Sequence, residues 1–159
     1  MPPSCGNRVG NVMAPLPSRP DYRAADHLPP GSYLDAEVRD VMTPGVVTIS
    51  ENASLRRAYR ALVAHGVHSV LVIGRSTGKP LGWVTARGLL SWLTREDTMA
   101  SARDAITHAP ATIQPGATVR QALTALEQPG VTQLIVAERP DVTPEGVLSD
   151  LDLIALAAR

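Results

Sequence analysis

One half of this chain is written over the other. Shifting the 159-residue sequence by 64 positions, which carries Gly82 onto Gly146, matches it to itself without a gap. Arg39-Asp40 falls on Arg103-Asp104, Thr48-Ile49 on Thr112-Ile113, Ala53 on Ala117, Arg56 on Arg120 and Ala58 on Ala122. Leu62 then meets Leu126, Gly66-Val67 meets Gly130-Val131, Val72 meets Val136, Pro80 meets Pro144, and Leu89 meets Leu153. One offset sustained from Arg39 to Leu89 leaves chance a poor explanation. A solenoid needs three or more repeats, and a unit of this size is small for a core of its own. The constraint therefore predicts two copies packed on each other about a pseudo-twofold axis.

Each copy carries the same periodicities. Val46–Ile49 is a short β-branched run and reads as a strand. Ser50, Asn52 and Ser54 are helix-start residues, and an amphipathic helix follows to about His65 with Leu55, Ala58, Leu62 and Val63 on one side. Gly66 is placed to end it. Val67–Ile73 is a continuous apolar run, expected of a strand covered on both faces. After a polar turn come a strand at Leu81–Thr85 and a helix from Ala86 to about Leu93. The second copy repeats this β-α-β-β-α order at 110–113, 118–128, 131–137, 146–149 and 150–158. Asp35–Met42 is expected to open copy one, and a short helix in 97–107 to open copy two. The fold class is α/β (α+β), sheets sandwiched between helices.

Composition narrows the function. Apolar residues make up 44 %, but aromatics only 3 % with no Phe, so the core must be aliphatic. Acidic and basic residues balance at 15 each, giving no global pull toward nucleic acid or an acidic membrane. No apolar run approaches the roughly 20 residues of a membrane span. The single cysteine, Cys5, closes no internal disulfide, which fits a reducing, cytoplasmic setting. Seven of the 14 prolines fall in the first 30 residues, without apolar periodicity. Residues 1–32 thus read as a disordered tail, within which Met13 is an alternative start. Copy one is bounded at 33–95 and copy two at 96–159.

Three motifs give the copies a family. Val41-Met42-Thr43-Pro44 with Val47-Thr48-Ile49, the run His65-Gly66-Val67-His68-Ser69-Val70-Leu71-Val72, and the closing Gly146-Val147-Leu148-Ser149-Asp150-Leu151-Asp152 resemble the entry, middle-strand and closing motifs of the tandem cystathionine-β-synthase (CBS) domain pair, or Bateman module. Leu71 stands where the family's middle strand commonly has proline. The resemblance covers residues 35–158. It implies that Asp152, at a helix N-terminus, clamps the two hydroxyls of a ribose. Ser149, one turn earlier, would reach the same sugar or its phosphate. It further implies adenine against Val46 and Val47, and phosphates facing His68 and Ser69. A mirror site would use Thr85, Arg87 and Gly88 with Pro110, Ala111, Thr132 and Gln133. There Gly88 replaces the carboxylate, so one working site per chain, or none, is expected.

Plainer readings stand beside these. Asp150 and Asp152 also suit an ordinary first helical turn, His68 a solvated strand end, and Arg87 an exposed helix position. Tyr59 and Trp92 fit either the core or a contact face. No catalytic or metal-binding set stands out: His65 and His68 straddle a helix-ending glycine, and Ser149 lacks the following glycine of a nucleophile elbow. The expectation is a non-enzymatic regulatory module, without a bound cofactor, sensing AMP, ADP, ATP or S-adenosylmethionine. It would form a homodimer, as the family's modules do through their helices, and signal to a protein partner. The competing reading is a dimerisation or docking scaffold with a vestigial cleft.

Overall fold

The computed structural model describes residues 32–96 and 99–158. All but the last residue of the proline-rich stretch lies outside them. A 3-10 turn at Ser32–Asp35 leads into α1 (Val38–Val41), β1 (Thr43–Pro44), β2 (Thr48–Ser50) and α2 (Leu55–His65). Then come β3 (Ser69–Ile73), β4 (Pro80–Thr85), α3 (Ala86–Leu89) and a 3-10 turn at Leu90–Trp92. The second copy supplies a 3-10 turn at Ala102–Ala105, β5 (Thr112–Ile113), α4 (Val119–Leu126), β6 (Gln133–Val136), β7 (Gly146–Ser149) and α5 (Asp150–Ala157). The β-α-β-β-α order matches the sequence reading. Ladder pairing starts later than the apolar runs do, with Thr48 opposite Leu71 and Thr112 opposite Ile135.

The element ends follow from the residues that occupy them. Ser54 and Thr118, one period apart, both cap a helix: their hydroxyls accept from the amides of Arg57 and Gln121 at 3.3 and 3.2 Å. Gly66, in the left-handed region at φ 61°, ends α2 and lets Val67 donate back to the Leu62 carbonyl at 3.1 Å. Along α2, Leu55, Ala58 and Leu62 are buried, whereas Val63, expected on the same face, is exposed. Val63 follows Leu62 directly and so turns about 100° away from it.

Two sheets result, ordered β2-β3-β4 and β1-β7-β6-β5. In each, the middle strand is parallel to the strand before its helix and antiparallel to the strand after it. Val70, Val72 and Val84 face outward onto α2 and α3. Leu134, Val136 and Leu148 do the same toward α4 and α5. The inner faces meet each other through Val46, Leu71, Trp83, Ile135 and Ala137. The layers therefore run helix, sheet, sheet, helix. The middle strands are covered on both sides, as their unbroken apolar runs predict.

The opening segments depart from expectation: they are exchanged. Val38 and Val41 of α1 are buried in the core of copy two, and β1 pairs antiparallel with β7, Thr43 opposite Val147. Ala102 and Ala105 are buried in the core of copy one, and His108 bridges to Trp83 of β4. The docking bonds repeat with the sequence period. Val38 and Arg39 donate to the carbonyls of Ala117 and Pro115, while Ala102 and Arg103 donate to those of Ala53 and Glu51. Gly82 and Gly146 make room for the visitors. A Cβ on Gly146 would stand 2.5 Å from the Thr43 carbonyl oxygen, and one on Gly82 would stand 2.7 Å from that of His108.

Candidate functional site

Ser149 ends β7 and caps α5, and Asp152 is the third residue of that helix. Together they form a reciprocal capping box. Asp152 Oδ2 accepts from the Ser149 amide at 2.8 Å and from its hydroxyl at 2.9 Å. The other carboxylate oxygen, Oδ1, accepts from the Thr43 hydroxyl at 3.3 Å. Asp152 is half-buried. Its carboxylate is thus fixed at the junction of α5 with the exchanged opening segment. The helix cap thus fixes the direction of the Asp152 carboxylate.

The remaining predicted residues assemble unevenly around this pair. Gln133 opens β6 directly opposite Ser149, and its Nε2 donates to Ser69 Oγ at 2.6 Å, joining the first residues of β3 and β6. Ser149, Gln133 and Ser69 therefore form a run across the seam between the copies. His68, one residue earlier, is exposed; its carbonyl accepts from the Ala86 amide at 2.8 Å. Val46 and Val47 separate. Val46, 5 % exposed, is sealed in the seam, whereas Val47 packs on the core of copy one and its carbonyl accepts from the Leu71 amide.

At the mirror position, Thr85 caps α3 by accepting from the Gly88 amide at 3.0 Å. A Cβ on Gly88 would stand 2.5 Å from Thr107 Cγ2. Thr107 is the period mate of Thr43. Where Thr43 donates to a carboxylate, the Thr107 hydroxyl lies 2.8 Å from His108 Nδ1 and 3.3 Å from the Trp83 carbonyl. The place of the missing carboxylate is taken by a methyl group. Arg87 and Thr132 are exposed, and Pro110 and Ala111 half-buried. The Ala111 carbonyl accepts from the Ile135 amide.

Two residues escaped the sequence reading. Thr43 was visible as a repeated threonine inside the entry motif, but its partner came from copy two. Trp83 lies in the seam, and its buried Nε1 has no hydrogen-bond partner among the described residues. Tyr59 and Trp92 both rest partly buried against the core of copy one, with Arg95 stacked 4.2 Å from the Trp92 ring centre. A shallow depression of about 630 Å³ lies away from the seam, edged by Arg39, Gln114, Gln121 and Glu138. None of the predicted site residues lines it, and Arg39 is already paired with Glu37 at 2.7 Å. Among the described residues there is no cluster of three or more metal-ligating side chains, and no helix is long and apolar enough to cross a membrane.

The same architecture is found in solved structures. The CBS domain of a bacterial CNNM/CorC family Mg2+ transporter in complex with ATP is 25 % identical, with a TM-score of 0.69 over 80 % of this chain and 90 % of that one. A CBS domain protein from Pyrobaculum aerophilum complexed with AMP is 20 % identical, with a TM-score of 0.65 over 78 % of this chain and all of that one. A CBS-domain containing protein from Agrobacterium tumefaciens is 22 % identical, with a TM-score of 0.65 over 77 % and 94 %. A comparison with curated protein sequences finds no match. The family model described as "CBS domain" matches twice, at residues 38–95 and 102–159, and the two matches take up most of the chain. With two period-related units folded as interlocked halves, the chain belongs to the CBS domain family as a tandem pair.

Proposed function

We propose that the chain is a cytoplasmic regulatory module, not an enzyme, that takes an adenosyl nucleotide between its two CBS units at Ser149 and Asp152. The observation that carries this reading is the fixed carboxylate. Asp152 is held at a helix start by Ser149 and touched by Thr43, where α5 meets the exchanged segment. An acceptor-only group so placed suits a vicinal diol, which offers two O–H donors. A diol approaching Oδ1 competes with Thr43, so occupancy acts directly on the interlock. The solved complexes of family members with ATP and AMP support the ligand class. AMP, ADP, ATP and S-adenosylmethionine all carry the ribosyl adenine this site would grip. The signal would pass to a second copy or to a protein partner as a change in how the two units sit together.

Thermal unfolding with each of the four compounds tests this. A ligand at 100 times its Kd adds about 2.7 kcal/mol to stability. Asp152→Asn, which keeps an oxygen acceptor for the helix cap and removes the charge, should erase that shift while the protein still folds. Retention of the full shift in Asp152→Asn would refute the clamp. A second reading, a scaffold without ligand, is favoured by the closed seam: Val46 is 5 % exposed, and a threonine methyl fills the mirror position. It would be upheld by the lack of any shift at millimolar concentrations of all four.

A further inference from the structure

The neutral total charge hides a division. Residues 45–109, which supply the first sheet and its helices, hold eight Lys and Arg against four Asp and Glu. Residues 33–44 and 110–159, which supply the second sheet and its helices, hold four against nine. The halves thus carry net charges of +4 and −5. The helices repeat the division: α2 and α3 contain four Arg and no acid, and α5 two Asp and no base. The bond from Gln133 to Ser69 shows which helix ends lie together, because it joins the first residues of β6 and β3. The register sets Thr85 opposite Ser69 and Ser149 opposite Gln133, so α3 and α5 both start at this end of the molecule. α2 and α4 finish there, since each is followed by one of these two strands. Four of the six exposed large apolar side chains among the described residues, Val63, Leu90, Leu151 and Ile154, lie on or beside these helix ends.

We infer that the chain pairs with a second copy head to tail through this end, the basic half of each protomer facing the acidic half of the other. The apolar side chains mark the end as one to be covered, and the charges select the covering. Arg60 stands one turn from Val63, and Arg87 one turn from Leu90. Asp150 stands one turn from Ile154, and Glu127 takes the place of Val63 in the second copy. All four charged side chains are exposed, and among the described residues none of them is in an ion pair. Two copies meeting like half to like half would set bases against bases and acids against acids. Turned end for end, they oppose unlike charges twice over, as a twofold interface requires.

Sedimentation equilibrium of the full chain tests the orientation. Salt screens attraction between unlike halves, so the dimer Kd should rise about tenfold between about 50 and about 500 mM NaCl. A Kd that stays constant or falls over that range would overturn the inference. Arg60→Glu/Arg87→Glu and Glu127→Arg/Asp150→Arg should each weaken the dimer at least about tenfold. The variant carrying all four changes restores unlike opposition and should dimerise within about threefold of the unmodified protein. Pairing of like halves would leave the two double variants near the unmodified affinity, because each only exchanges one repulsion for another; that result would overturn the inference. So would weakening of both double variants without recovery in the combined one. Circular dichroism checks that each variant is folded. A protein that stays monomeric at every concentration and salt would exclude a second copy as the occupant of this end, and the inference with it.

Discussion

Gly88 and Asp152 occupy the same place in their copies, and the threonine beside each turns a different group toward it. In copy two, Thr43 meets a carboxylate through its hydroxyl. In copy one, Thr107 turns its hydroxyl toward His108 and the Trp83 carbonyl, and its methyl faces Gly88. Restoring an aspartate at 88 therefore does more than add a missing ligand group. Gly88→Asp should be destabilised by about 1–3 kcal/mol, the usual range for overpacking a filled position. Thr107→Ser, which removes the methyl and keeps the hydroxyl, should recover most of that loss in the double variant. Chemical denaturation of the three variants checks this. A Gly88→Asp protein as stable as the unmodified one would show that the space at 88 is open.

The two opening segments are docked by equivalent backbone bonds but latched by different side chains. On copy one, Glu51 accepts from the Arg75 amide at 3.0 Å and from Arg103 at 2.5 Å, while Asp104 accepts from the Ser101 amide and hydroxyl at 2.8 and 3.0 Å. On copy two, Pro115 stands in place of Glu51, and Arg39 pairs with an exposed Glu37 instead, an arrangement worth little. Both latch carboxyls are held below their ordinary values: Glu51 mainly by the Arg75 amide and then Arg103, Asp104 by the Ser101 amide and then its hydroxyl. A carboxyl whose pKa is lower folded than unfolded adds stability that is complete above the unfolded value. That value is 4.5 for Glu51 and 3.8 for Asp104, and the contribution is lost as pH falls through the folded one. Stability should thus decline on acidification below about pH 4.5. Glu51→Gln should show a shallower decline, because its share is already gone at neutral pH. Urea unfolding at pH steps from 7 to 3 measures both, and parallel curves would rule out Glu51 as a contributor.

Across the whole molecule, the outward helices leave apolar side chains uncovered. Leu151 and Ile154 of α5 are 69 % and 65 % exposed, and Leu90 and Leu93 after α3 are 59 % and 64 % exposed. Leu90 and Ile154 are period mates, so the two copies present related apolar positions, as a self-associating surface would. A homodimer through these helices is the expected assembly. Light scattering should report a dimer at micromolar concentration and a monomer for the Leu90→Glu/Ile154→Glu double variant. A double variant that remains dimeric would place the interface elsewhere. Neither substitution touches the seam, so any nucleotide-induced thermal shift should persist in the variant.

The element order, the helix start at Ser54 and the placing of Ser149 and Asp152 at the start of the last helix were legible in the sequence. They rest on contacts within a few residues and on a period that repeats them. The burial of both faces of β3 and β6 was legible for the same reason, as unbroken apolar runs. Three things were decided only in three dimensions. Each opening segment serves the other copy, Thr43 thereby reaches Asp152, and Gln133 reaches Ser69. The period itself hides these, because two segments of one pattern fit two sockets of one pattern, and local sequence pattern is the same whichever socket each one fills. Only the packed molecule, where connecting chain and side-chain shape act together, selects between the two.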